Sequence, residues 1–216
     1  MDSASIAAIG GAASGLSDAK VTGPPMTHKY FKIEDDVHVT DRWFLGDFHS
    51  TDFQDRRRFG ICEPCRGIFT VDPGDGGSAL NFSLTAFGLP IAALPVAETI
   101  SKIAADDVHL VPVRIKGHGE FRFVQILRAL DCVDESRSEF ESYEDDAPVP
   151  SRRGEYSSFH TLVVDQAKIP ANAHMFHIAK WRVRPIVSEA VRSALMEAGD
   201  LGVKFLSASP TQVTAS

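Results

Sequence analysis

The sequence predicts an α+β protein: antiparallel β-sheet with interspersed helices and two helix-turn-strand units. Three observations carry this. Short apolar runs bounded by Gly, Pro and Asp recur along the chain, as strands and turns require. Two segments, beginning at Pro95 and Pro185, each read as an amphipathic helix, an acidic turn and an apolar strand. The 216 residues are 44% hydrophobic and 24% charged, enough for one domain to bury a real core.

The elements follow in order. Residues 1–27 are rich in Ala, Gly and Ser, run through Gly23-Pro24-Pro25, and are expected to be disordered, with Met26 an alternative start. A single domain is expected over residues 28–208 and a disordered tail over 209–216. Lys29 to Ile33 alternates as a strand. Asp41 to Phe48 sets Trp43 and Phe44 beside Gly46, and Arg56-Arg57-Arg58 reads as a solvated helix face. Strands are expected at Gly67 to Val71 and Leu80 to Phe87, with a turn from Pro73 to Gly77. Pro95 opens a helix with Ile100 and Ile103 on one face, and a strand from Val108 to Ile115 follows. His118-Gly119 makes a hairpin to Glu120–Val133, whose alternation favours strand over helix.

An acidic loop is expected over residues 131–150, then strands from Glu155 to Val164 and around Met175, Phe176 and Ile178. Pro185 introduces the second helix, capped by Ser188, with Val191 and Leu195 inward, stopped by Gly199, before a closing strand at Val203, Phe205 and Leu206. The two units fit a duplication, a recurring connection or chance similarity; two copies do not make a solenoid. Ile100, Ile103, Val111, Val191, Leu195 and Phe205 are expected to be buried against one antiparallel sheet.

Charge is concentrated. The net charge is −7. Asp131, Asp134, Glu135, Glu139, Glu141, Glu144, Asp145 and Asp146 face Arg137 alone between Asp131 and Ala147, so this stretch holds all of it and the remainder is near neutral. That excludes a general nucleic-acid binder, which needs a basic face. Phe140 and Tyr143 sit inside the run. Such runs are often solvated linkers; aromatics among carboxylates also suit a protein-binding patch, in which rings anchor and charges steer. No apolar stretch is long enough to span a bilayer. The apolar N-terminal run follows Asp2 rather than a basic residue, so no secretory signal is expected. Cys62, Cys65 and Cys132 are too few for a disulfide framework, and a cytoplasmic location is expected.

No chemistry-bearing pattern is complete. Cys62-Glu-Pro-Cys65 lacks a second ligand pair, so no metal is expected. His174 and His177 would point to opposite faces of a strand. Asp72 to Gly77 has neither the lysine of a phosphate loop nor calcium-loop spacing, and no nucleophile elbow surrounds Ser78. No catalytic residue and no cofactor are expected.

The sequence resembles bacterial polymorphic-toxin immunity proteins of the eleventh class, formerly a domain of unknown function. The resemblance rests on Phe87-Gly-Leu-Pro-Ile91, the helix to Ile103, Val108 to Ile115, Val124 to Asp131, Leu162-Val-Val-Asp165, Ile169-Pro170, Phe176, Trp181, Pro185-Ile-Val-Ser188 and Gly202-Val-Lys-Phe205. It covers Leu80 to Ala208, and more loosely Lys29 to Phe48. Cys62, Cys65 and the long acidic loop depart from the pattern.

The resemblance implies a protein made beside a toxin gene that stays in the producing cell and neutralises the toxin's effector domain. Many such toxins are nucleases with basic clefts, which an acidic patch would meet quickly. Asp134, Glu135, Glu139, Phe140, Glu141, Tyr143, Glu144, Asp145 and Asp146 are the expected toxin-binding residues. Neither nucleic acid nor membrane is an expected partner. The alternatives are a small-molecule hydrolase or other enzyme, whose cleft would draw on His109, His118, Asp165 and His177, and a structural protein without a toxin partner.

Overall fold

The structure, a computed structural model, describes residues 29–49, 63–74, 76–143 and 152–209. Arg56-Arg57-Arg58, Cys62 and Glu144-Asp145-Asp146 lie outside them, as do the N-terminal segment and the tail after Ser209. The chain is mixed α+β, mostly sheet, with two helices among the described residues.

The strands are β1 (Tyr30–Asp35), β2 (Leu45–His49), β3 (Phe69–Pro73), β4 (Phe82–Leu84), β5 (Pro90–Ala93), β6 (Val108–Ile115), β7 (Phe121–Ile126), β8 (Ala129–Leu130), β9 (Glu139–Ser142), β10 (Tyr156–Thr161), β11 (Met175–Ile178), β12 (Trp181–Ser188) and β13 (Val203–Ser207). Helix α1 (Leu94–Ile103) follows β5, and helix α2 (Glu189–Ala198) follows β12. A six-stranded sheet runs β2-β3-β6-β7-β5-β4, a five-stranded sheet runs β13-β1-β12-β11-β8, and β9 pairs with β10. The expectation of one antiparallel sheet is thus corrected. Among the described residues there are three sheets, and β3–β6 and β8–β11 pair in parallel. The strands after the two helices also enter different sheets, β6 the six-stranded one and β13 the five-stranded one.

The helices join the two large sheets. Val96, Ala97 and Ile100 of α1 share one core with Val191 and Leu195 of α2, Val108, Val124 and Ile126 of the six-stranded sheet, and Ile33, Met175 and Val187 of the five-stranded sheet. Of the six expected core residues, Ile100, Val111, Val191 and Leu195 are buried. Ile103 and Phe205 are half-buried against the same core. Leu195 is fully enclosed, so Leu195→Ala should cost about 2–5 kcal/mol, read as a lower urea midpoint at unchanged slope. A loss below about 1 kcal/mol would contradict this packing.

The two helices start differently. Pro95 lies in the first turn of α1, where its missing N–H costs nothing. Pro185 does not open α2; it lies inside β12. It falls between the paired residues Phe176↔Ile186 and Ile178↔Trp181, where the β11–β12 register is irregular, so the ladder does not need its N–H. Helix α2 begins three residues past Ile186, capped by the Ser188 hydroxyl, which accepts from the Val191 N–H at 3.5 Å. Gly199 ends it at φ 65°, in the left-handed region that favours glycine.

The run Glu120–Val133 is strand, as expected, but it serves two sheets. Leu127 N–H donates to Asp107 O at 2.7 Å, the chain turns, and β8 joins the five-stranded sheet. Strand β7 is buried on both faces: Phe121 and Phe123 face an aromatic core with Trp43, Phe48 and Phe69, while Val124 and Ile126 face the helices. A third core, with Tyr156, Phe159, Phe176 and Trp181, lies beneath the β9–β10 hairpin.

Candidate functional site

The acidic segment is partly built structure rather than loop. Cys132 and Val133 are buried in the core beneath the hairpin and fix where the segment leaves the body. The Cys132 thiol is pushed up to about 12, first by burial, which keeps it protonated and inert. Asp134 is held by its neighbours: its carboxylate accepts from Ser136 Oγ and Arg137 Nε, each at 2.6 Å. Those bonds, the serine's first, hold its pKa below the ordinary carboxylate range. Glu135 accepts from the Tyr156 hydroxyl at 2.6 Å. Burial, and then this carboxylate, push the phenol above its ordinary range.

Strand β9 occupies the middle of the expected loop. Its side chains alternate. The Phe140 ring turns inward, edge-on to Tyr156 at 4.9 Å and 5.8 Å from Phe159. Glu139 and Glu141 are exposed. Glu141 accepts from Ser158 Oγ at 3.1 Å, with His160 Nε2 at 3.8 Å. Tyr143 is half-buried and carries the Arg152 guanidinium 4.3 Å above its ring. Of the nine expected site residues, then, Glu139 and Glu141 present exposed charge, that of Glu141 facing Ser158 and His160. Asp134 and Glu135 are tied inward, Phe140 supports the hairpin from below, and Glu144, Asp145 and Asp146 lie outside the described residues.

Sequence reasoning missed the supports of this surface, Tyr156, Phe159 and Arg152. Register shifts between Tyr156 and Ser158 and between Phe159 and Thr161 break the two-residue period that would have marked both aromatics as inward.

The histidines named for an enzymatic cleft sit in separate surroundings. His109 donates from Nε2 to Cys65 O at 3.0 Å, since a carbonyl only accepts. His118 stacks edge-on against Trp43 at 5.0 Å. Asp165 caps a 3-10 helix by accepting from Ala167 N–H. His174 Nδ1 lies 3.0 Å from the Ser188 hydroxyl, and Asp107 is close by. This resembles a triad only in composition: Asp107 accepts from the His174 main chain, and Ser188 is buried as a helix cap. Among the described residues no group of three or more His, Cys, Asp or Glu is placed to hold a metal ion. Cys62 falls outside them, while Cys65 is gripped through its main chain by Gln125, whose amide accepts from Cys65 N–H at 2.7 Å and donates to Glu63 O at 2.8 Å.

His177 has a measurable consequence. Burial lowers it to about 4, against a carbonyl of Arg184 that accepts from Nδ1 at 3.4 Å. Folding therefore favours the neutral ring. The associated stability is complete above pH 6.5 and is lost as pH falls toward 4. Between pH 7 and pH 4.5 this group should remove about 2–3 kcal/mol. His177→Asn, which keeps a donor at the same place, should flatten that part of the denaturation profile. Equal acid sensitivity in both proteins would contradict it.

No helix among the described residues is long and apolar enough to cross a membrane. Residues 108–209 match the model of an immunity protein family, Imm11. The match runs from the first residue of β6 to the last described residue and encloses the acidic segment; the resemblance noted over Leu80 to Ile103 lies before it. A comparison with curated proteins gives no match.

Proposed function

We propose that this chain, whose residues 108–209 match the Imm11 immunity protein family, binds a cognate toxin effector domain in the cytoplasm of the producing cell and neutralises it. The family match is the observation that carries the reading. It extends over the β9–β10 hairpin, the part of the chain where negative charge stands exposed on an ordered support.

The binding surface is the acidic hairpin and the segment after it: Asp134, Glu135, Glu139, Phe140, Glu141, Tyr143, Glu144, Asp145 and Asp146. Glu139 and Glu141 steer a basic cleft, and Tyr143 anchors it. Phe140 acts by holding the hairpin in shape, and Asp134 and Glu135 by fixing its base. The helix-turn-strand units α1–β6 and α2–β13 are scaffold.

Binding kinetics against the toxin domain encoded beside this chain separate these roles. Glu139→Gln with Glu141→Gln should slow association and flatten its salt dependence, because screened attraction acts on the encounter. Tyr143→Ala should instead speed dissociation, by about 2 kcal/mol if the ring is an anchor. If both rates are unchanged in both variants, the acidic hairpin is not the interface.

A further inference from the structure

Among the described residues, the helices cover only part of one face of the six-stranded sheet. The pairs Val108–Ile126 and Leu110–Val124 meet the helices. The next pair on that face, Pro112–Arg122, lies beyond them. Here the sheet forms a concavity of about 560 Å³, floored by Pro112 and Thr70, with Ile68 53% exposed at one side. Arg114, Lys116 and Arg122 edge it. Arg122 bonds Phe121 O at 2.9 Å and lies 3.8 Å from Glu120. The Arg114 and Lys116 side chains are exposed and make no hydrogen bond or ion pair among the described residues.

We propose that this basic, partly apolar sheet face docks strand β9 of a second copy of the same chain, and that the exchange is reciprocal. Charge and spacing carry it. Arg114 lies on the exposed face of β6 and Lys116 begins the turn that follows it, both lining the concavity, and Glu139 and Glu141 are two residues apart on the solvent face of β9. The two carboxylates are therefore about 6.6 Å apart, close enough together for both to face the Arg114 and Lys116 cations. Among the described residues β9 pairs with β10 alone. The two patches lie on different parts of the chain, so one contact leaves a copy of each patch unfilled, and a two-fold arrangement fills both. If the toxin reading holds, the toxin and the second copy compete for Glu139 and Glu141, and toxin binding dissociates the pair.

Sedimentation of the full chain without any toxin tests the pairing, so its outcome is independent of the toxin reading. At low salt the chain should pass from monomer to dimer as concentration rises. Arg114→Glu/Lys116→Glu and Glu139→Lys/Glu141→Lys should each remain monomeric with unchanged circular dichroism, since all four side chains are exposed. An equal mixture of the two variants should regain a dimer, because both contacts are complementary again, one as in the wild type and one with its charges reversed. A wild-type chain that stays monomeric overturns the proposal, as does a mixture that fails to pair or a variant that still dimerises.

Discussion

Replacing Asp107 with alanine should cost about 3–5 kcal/mol, the range for stripping one partner from a buried charged network. Asp107 is wholly buried at the end of the turn that joins α1 to β6. Its Oδ2 accepts from the main-chain N–H groups of His174 and Met175, at 2.6 and 3.0 Å. Arg128 Nε lies 2.5 Å from Oδ1 as an ion pair, though not in hydrogen-bond alignment. One carboxylate thus pins the six-stranded sheet to the start of β11 in the five-stranded sheet. Alanine leaves two N–H groups and a guanidinium without their partner. Asp107→Asn keeps the shape and one acceptor and should cost less, about 1.5–3 kcal/mol. Urea midpoints measure both; an alanine variant within about 1 kcal/mol of wild type would contradict the pin.

Arg42→Ala should be of similar size, about 3–5 kcal/mol. The Arg42 side chain is 2% exposed. Its guanidinium donates to Asp36 O at 2.8 Å, Gly202 O at 2.9 Å, Trp43 O at 3.2 Å and Asp35 Oδ1 at 2.8 Å. It ties the end of β1 to the loop before β13 and holds Trp43, whose indole N–H donates to Ser83 Oγ at 2.8 Å. Lysine has charge but no planar fork, so Arg42→Lys should recover less than half of the loss. A lysine variant as stable as wild type would show that charge alone suffices.

Local grammar was legible where one element answered one rule. The Ser188 cap, the Gly199 stop and the exact span of β6 from Val108 to Ile115 could be read because each depends on neighbouring residues. Pro185 misled because a proline before a capped helix looks like a helix opener; the broken β11–β12 register that tolerates it is set by a distant strand. Strand β7 resisted its periodicity because both faces are buried, so apolar residues fill both phases. The parallel pairings, and the division of Glu120–Val133 between two sheets, depend on contacts far apart in sequence. The acidic segment was legible as charge but not as shape: that Phe140 turns inward follows from Tyr156 and Phe159, which only the bulged β9–β10 register brings beneath it. Asp107 and Arg42 carried no sequence signal, since a buried charge is recognisable only through its partners.

The most direct test of the proposed toxin neutralisation is titration of the purified chain into a toxin domain encoded by a neighbouring gene, following that domain's own activity. The account predicts that activity falls in proportion to added chain and is abolished near one equivalent, and that Tyr143→Ala shifts the curve to higher ratios. Toxin activity unchanged by excess folded chain would contradict it.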